Sequence, residues 1–279
     1  MTGAPHRSSR TIDTTDDDLY SSTMRQIGSL VFWTFIVLSS ILLFPIAVII
    51  WAVTSPFDKR RVILHRFTCF WASLYTWTNP VWRVSISNRE LIDPKGTYVL
   101  VANHLSLLDI LVLFRLFRDF KWVSKAEIFK VPAVGWNMSL NKYIPLRRGN
   151  RESVQEMMGK CEQALDQGSS IMMFPEGTRS KSGQMRDFKP GAFELARSTH
   201  TPIIPLVIRG THDALPARGF VLQGRHVISV TVLPEVPLQV VESMTTTDLT
   251  AYVRGLIAAE LNEPASPISQ PEGSAVKPK

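Results

Sequence analysis

The chain has 279 residues, 45% of them hydrophobic and 20% charged, with a mean hydropathy of +0.05. That length fits one globular domain of roughly 200 residues with appendages, and the average composition excludes a disordered, collagen-like or many-span chain. Lys and Arg number 31 against 24 Asp and Glu, and the resulting net charge of +7 favours anionic partners such as membrane headgroups, phosphorylated ligands or nucleic acid.

Residues 1–22 are polar, rich in Ser, Thr and Asp, and read as a disordered tail. Residues 23–82 read as a membrane-anchoring helical segment. Within them Ile27 to Val53 runs 27 residues without an ionisable side chain. As a helix rising about 1.5 Å per residue it extends ~40 Å, more than the ~30 Å hydrocarbon core of a bilayer. It is too long for a signal-peptide core and no small-residue cleavage site follows it. Pro45 removes one backbone hydrogen bond, which leaves tilt, kink or re-entry open. Asp13, Asp16, Asp17 and Asp18 precede the run, whereas Lys59, Arg60, Arg61 and Arg66 follow it. The positive-inside rule therefore puts the chain after Val53 in the cytoplasm, on an inner (cytoplasmic) membrane. Phe67 to Trp82 carries Trp71, Tyr75, Trp77 and Trp82, residue types that gather at membrane interfaces, so this stretch reads as an interfacial helix or as a core helix of the following domain.

From residue 83 to 263 short β-branched runs alternate with helical patterns, which predicts an α/β fold with a mixed sheet flanked by helices. Candidate strands are Arg83 to Ser87, Tyr98 to Ala102, Lys121 to Val123, Ser170 to Phe174, Ile203 to Ile208 and His226 to Val232. Candidate helices are Leu107 to Phe117, Arg151 to Gln167, Gly191 to Ser198 and Thr247 to Leu261. Residues 264–279 are rich in Pro, Ser and Gly and read as a second disordered tail.

Chemistry in such sheets gathers at the C-terminal ends of strands. After Tyr98–Ala102 come Asn103 and His104, with Asp109 five residues beyond the histidine. A loop that folds back lets the carboxylate orient the imidazole and leaves the other ring nitrogen to accept a proton from an alcohol, the base half of a triad without its serine. The same letters also spell a capping box, Ser106-x-x-Asp109, in which His104 is merely structural. After Ser170–Phe174 come Pro175, Glu176, Gly177, Thr178 and Arg179, a turn whose glycine lets backbone N–H groups approach an anion and whose arginine grips phosphate oxygens. Arg147 and Arg148 stand together at another turn. Each arginine taken alone reads equally well as a solvated surface residue.

Taken in order, these blocks resemble the glycerolipid acyltransferase family, in particular its bacterial 1-acylglycerol-3-phosphate acyltransferases, over about Tyr98 to Thr211. His104 and Asp109 match the family's N-H-x-x-x-x-D block, which implies a general base and its orienting carboxylate. Lys125 through Trp136 is similar to the stretch between the first two blocks. Arg148 matches the second-block arginine and Glu176, Gly177, Thr178 and Arg179 the third, all implied to bind substrate. Ile203-Ile204-Pro205 is similar to the fourth. The acidic residue often preceding the second-block arginine is Arg147 here, so both Arg147 and Arg148 stand as candidates for that position.

The resemblance implies acyl transfer from acyl-CoA or acyl-carrier protein, as co-substrate, to lysophosphatidic acid, giving phosphatidic acid in a membrane. No resident cofactor and no metal are expected, because His104 has no second ligand at a metal interval and no nucleotide-binding glycine motif occurs. Cys69 and Cys161 are far apart and form no C-x-x-C, consistent with a reducing, cytosol-facing domain. Two other readings stay open: acylation of another lysolipid, such as lyso-ornithine lipid or one with a larger headgroup, and a non-catalytic membrane scaffold using its arginines to attract lipid. Nucleic acid is not expected as a partner, since the arginines are not interleaved with a binding motif.

Overall fold

The apolar N-terminal run folds as one uninterrupted helix, α1 (Thr14–Thr54), with Pro45 inside it. The computed structural model describes residues 14–217 and 219–262, so residues 1–13 and 263–279, which hold most of the two expected tails, lie outside the described residues. Residues 14–22, expected as tail, are instead the first turns of α1. Of the tilt, kink or re-entry left open at Pro45, re-entry is set aside because the helix continues through that residue to Thr54.

A sharp turn follows, in which both carboxylate oxygens of Asp58 cap the next helix by accepting the backbone N–H groups of Val62 (2.9 Å) and Ile63 (2.8 Å). Helix α2 (Val62–Trp77) then runs back along α1. Its Trp71 and Tyr75 are buried, whereas Phe70 and Trp77 are exposed, so it serves both as core helix and as apolar surface.

Seven strands follow: β1 (Trp82–Ser87), β2 (Val99–Ala102), β3 (Phe120–Lys125), β4 (Ile144–Leu146), β5 (Ser170–Met173), β6 (Ile203–Arg209) and β7 (His226–Val232). They lie in the order β1-β7-β6-β2-β5-β3-β4. The run from β6 to β4 is parallel, β7 is antiparallel to β6, and β1 is parallel to β7, which makes the sheet mixed as expected. Between and after the strands come α3 (Leu108–Phe114), α4 (Val134–Leu140), α5 (Arg151–Asp166), α6 (Gly191–Ser198), α7 (Thr211–Ala214), α8 (Leu238–Ser243) and α9 (Thr246–Asn262).

Strand β2 shows why the sheet is central. All four of its residues are buried, Leu100 and Ala102 facing one apolar cluster and Val99 and Val101 the other, the period-two pattern of a strand covered on both sides. The first cluster joins the sheet to α1, α2 and α3, with Phe32, Ala47, Leu64 and Trp71 among its members; the second joins it to α5, α6 and α9. The segment expected at 23–82 as an anchor therefore packs into the same apolar core as the sheet.

Candidate active site

Strand β2 ends at the centre of the sheet and delivers Asn103 and His104 to its C-terminal edge. Asn103 continues the strand with its side chain: its amide donates to the Ile208 carbonyl (2.9 Å) and its oxygen accepts the Ile208 N–H (2.8 Å). His104 is thereby held between two strand ends. Its Nδ1 lies 2.8 Å from Oδ2 of Asp109, which sits fully buried in the first turn of α3. The same oxygen accepts the N–H groups of Leu105 (2.7 Å) and Ser106 (2.8 Å). The capping box and the histidine-orienting carboxylate are thus one arrangement: the cap holds Asp109 where it can accept the Nδ1 proton, leaving Nε2 for a substrate. Ser106 Oγ donates to the Leu215 carbonyl (2.6 Å), pinning the loop from outside.

The third-block loop closes over this dyad from β5. Glu176 is buried, and its two oxygens accept backbone N–H groups from different loops, His104 at 2.6 Å and Arg186 at 3.0 Å, while Ser180 N donates to the His104 carbonyl (2.9 Å). Burial pushes the Glu176 carboxyl up to about 7. Glu176 does not border the cavity that His104 enters, so its carboxylate binds loops together. Gly177 adopts φ +69°, a left-handed conformation that suits glycine at this turn.

That cavity has a volume of about 570 Å³. His104, Gly177, Thr178, Arg179 and Arg148 line it together, so the structure brings all the sequence-predicted site residues to one place, with Asp109 and Glu176 one layer behind. Arg147 does not line it. Leu146, the last residue of β4, and Arg148, in the turn that follows it, both line the cavity. Lys125, at the end of β3, adds a further cation to the lining. Most of the remaining lining is apolar, including Trp33 and Ile36 of α1, Trp71 of α2, and Leu111 and Phe114 of α3, with Thr68, Ser124 and Asn137 as polar members.

Two contributors escape the motifs. Phe174 stacks flat on His104, with ring centroids 3.9 Å apart and planes 9° apart, and Trp122 packs behind it at 5.4 Å. The other is α1 itself, which reaches the site through Trp33 and Ile36. Nothing in the local pattern separates Phe174 from any strand-end aromatic, and the apolarity of α1 announces a membrane, not a cavity wall.

A His–Asp dyad at the C-terminal edge of a mixed sheet opens here on a cavity lined by cations and apolar side chains. Residues 83–209 match the family model described as Acyltransferase. The chain is 38% identical over 162 residues to a chloroplastic 1-acyl-sn-glycerol-3-phosphate acyltransferase of Arabidopsis thaliana, covering 57% of this chain and 45% of the relative. It is 35% identical over 196 residues to one of Chlamydomonas reinhardtii, covering 70% and 58% respectively. The chain thus spans about half the length of the curated relatives it matches. The crystal structure of the 1-acyl-sn-glycerophosphate acyltransferase PlsC of Thermotoga maritima superposes with a TM-score of 0.70 at 22% identity, over 87% of this chain and all of that one, a likeness of fold.

Proposed function

We propose that the protein is a membrane-bound O-acyltransferase that moves an acyl chain from acyl-CoA or acyl-carrier protein to the free hydroxyl of 1-acylglycerol-3-phosphate, giving phosphatidic acid. The observation that carries this reading is a single cavity lined by His104, by the cations Lys125, Arg148 and Arg179, and by the apolar faces of α1, α2 and α3. A lysophosphatidic acid has the matching parts: a phosphate, a hydroxyl and a hydrocarbon chain. The names of the relatives point to the same acceptor.

In this reading Nε2 of His104 takes the proton of the acceptor hydroxyl, and that oxygen attacks the thioester carbonyl. As the tetrahedral intermediate collapses the carbon–sulfur bond breaks, and the imidazolium returns the proton to the leaving thiolate. Asp109 stabilises the imidazolium and fixes its tautomer. Thioesters are already activated, so neither an acyl-enzyme nor a resident cofactor is required, and positioning with general-base catalysis of ~10²–10⁴ suffices for the proton transfer. Arg148 and Arg179 hold the phosphate, and Gly177 and Thr178 shape the loop beside it.

The manner of anchoring follows from which side of α1 is covered. Ser40, Ala47 and Thr54, seven residues apart, are buried against the domain, and Ser29 and Phe32 continue that face, while Leu30, Val31, Val37, Leu38, Ile41 and Leu42 are exposed. The covered stretch from Ser29 to Thr54 is roughly 38 Å long, longer than the ~30 Å hydrocarbon core. A helix docked on a folded domain over that length embeds sideways in one leaflet, with the domain at the surface. Lys59, Arg60, Arg61 and Arg66 after α1 favour the cytoplasmic face of an inner membrane. The enzyme thereby meets a bilayer acceptor and a soluble acyl donor at the interface.

The test is acyl transfer by purified protein from labelled acyl-CoA to a panel of lysolipids. Product from lysophosphatidic acid alone is expected; a preference for another lysolipid reassigns the acceptor, and no product from any of them defeats the reading.

A further inference from the structure

The connection between α7 and β7 turns at a tip, Gly219–Leu222, that belongs to neither the catalytic blocks nor the helical anchor. Phe220 is 67% exposed and Val221 is 40% exposed, in a stretch of four residues with no charge. Isolated exposed apolar residues are ordinary, but this pair is held in place. The Phe220 carbonyl accepts the indole N–H of Trp33 (2.7 Å), the Leu222 N–H donates to Ser29 Oγ (2.8 Å), and the Phe220 ring meets the Trp33 ring edge-on at 5.5 Å. Leu222, buried, plugs the tip into the core beneath α1.

We propose that Gly219–Leu222 is a second bilayer-inserting element, with Phe220 as its anchor, and that its occupant is the lipid surface on which α1 lies. The inference rests on the membrane reading of α1 given above. Continuity is what selects lipid over another partner. Leu30 and Val37, three residues before and four after Trp33, are its neighbours on the helix surface, and both are more than half exposed. A bilayer that receives Leu30 and Val37 therefore meets the Phe220 ring on the same side of the helix. Because three contacts fix the tip on α1 before any membrane is present, insertion costs little ordering of the loop. Phenylalanine is also among the apolar side chains that bury at the boundary between headgroups and acyl chains. Two anchoring points, a helix and a loop beside it, fix the rotation of the domain about the α1 axis, which a single helix leaves free.

The experiment uses the full chain in vesicles of mixed zwitterionic and anionic phospholipid, with an environment-sensitive fluorophore on one introduced cysteine at a time. Cys69 and Cys161 are buried and do not compete for label in the folded protein. Labels at Phe220→Cys, at Leu42→Cys on the exposed face of α1, and at Glu156→Cys on the exposed face of α5 are compared. The 220 label is expected to shift to the blue and to be quenched several-fold more by spin-labelled acyl chains than by aqueous iodide, as at 42, while the 156 label behaves as in water. Phe220→Asp is expected to weaken vesicle partition roughly tenfold or more, the scale set by one phenylalanine's apolar surface, with an unchanged melting temperature. A 220 label that stays aqueous while the 42 label inserts overturns the loop's role and leaves the membrane reading intact. Aqueous signals at both positions overturn both readings. A blue shift at 220 that needs protein concentration and no vesicles assigns the tip to a second copy of the chain and overturns the proposal.

Discussion

Asp109 binds His104 through Oδ2 at 2.8 Å, and that one oxygen also accepts the backbone N–H groups of Leu105 and Ser106. The carboxylate is therefore fixed by the main chain before it orients the ring. Replacing His104 by Ala is expected to lower kcat by ~10²–10⁴, the usual contribution of a general base, with the melting temperature preserved because His104 borders the cavity. Asp109→Asn should also lose kcat but melt at lower temperature, since it disturbs a buried cap as well. Parallel kinetics and thermal melts check the distinction; unchanged turnover in His104→Ala would remove the base from the mechanism.

Arg148 lines the cavity and its neighbour Arg147 does not. Losing charge-assisted hydrogen bonds worth ~1.5–3 kcal/mol predicts a rise in KM for lysophosphatidic acid of about 10–100-fold in Arg148→Ala and in Arg179→Ala. Arg147→Ala should leave KM nearly unchanged. Initial-rate measurements on the three variants decide which arginine of the pair meets phosphate, and equal effects at 147 and 148 would contradict the placement of Arg148, and not Arg147, on the cavity wall.

Glu176 is an acid that burial makes weaker, with its carboxyl pushed from 4.5 up to about 7. The folded chain then holds this proton through a window where the unfolded chain has lost it. The group's contribution to stability is full below about pH 4.5 and is lost as pH rises through about 7. Thermal melts from pH 4.5 to 8 should show this decline in the wild type and its loss in Glu176→Gln. The amide variant should also turn over more slowly, because its NH₂ faces one of the two backbone N–H groups, His104 or Arg186, that the carboxylate joins.

The two faces of α1 should respond in opposite ways. Leu42 is 72% exposed, so Leu42→Glu is expected to weaken vesicle flotation while leaving the melt in detergent unchanged. Ala47 is fully buried, so Ala47→Leu overpacks the seam and should cost about 1–3 kcal/mol of stability, read in the same melt.

Much of the scaffold was legible because its signals are local. Runs such as Ile203 to Ile208 and His226 to Val232 are long and β-branched enough to declare strands, and they appear as β6 and β7 within a residue or so. Strand β4 went unseen because Pro145 sits at its centre and argues against a strand. It is tolerated there because β4 is the last strand in the sheet order, where one side needs no ladder partner. Helix α3 was expected from Leu107 to Phe117 but ends at Phe114, and the chain reverses at Phe117 with φ 48° to enter β3. The seven-residue α4 is too short for its periodicity to stand out.

Sequence by itself determined the candidate groups: a histidine with an aspartate five residues on, a Glu-Gly-Thr-Arg turn after a buried strand, and a long uncharged helix are all contiguous features, set by side-chain type and spacing. Tertiary structure alone decided their roles. Only folding places Glu176 between the His104 and Arg186 backbones, making it a loop clamp, and turns Arg148 toward the cavity with Arg147 outside. Only folding lays α1 along the sheet domain, so that one apolar face closes the site through Trp33 and Ile36 while the other is left exposed. Hydrophobicity is a property of each side chain and can be read in order along the chain; what covers it depends on contacts between residues far apart in sequence.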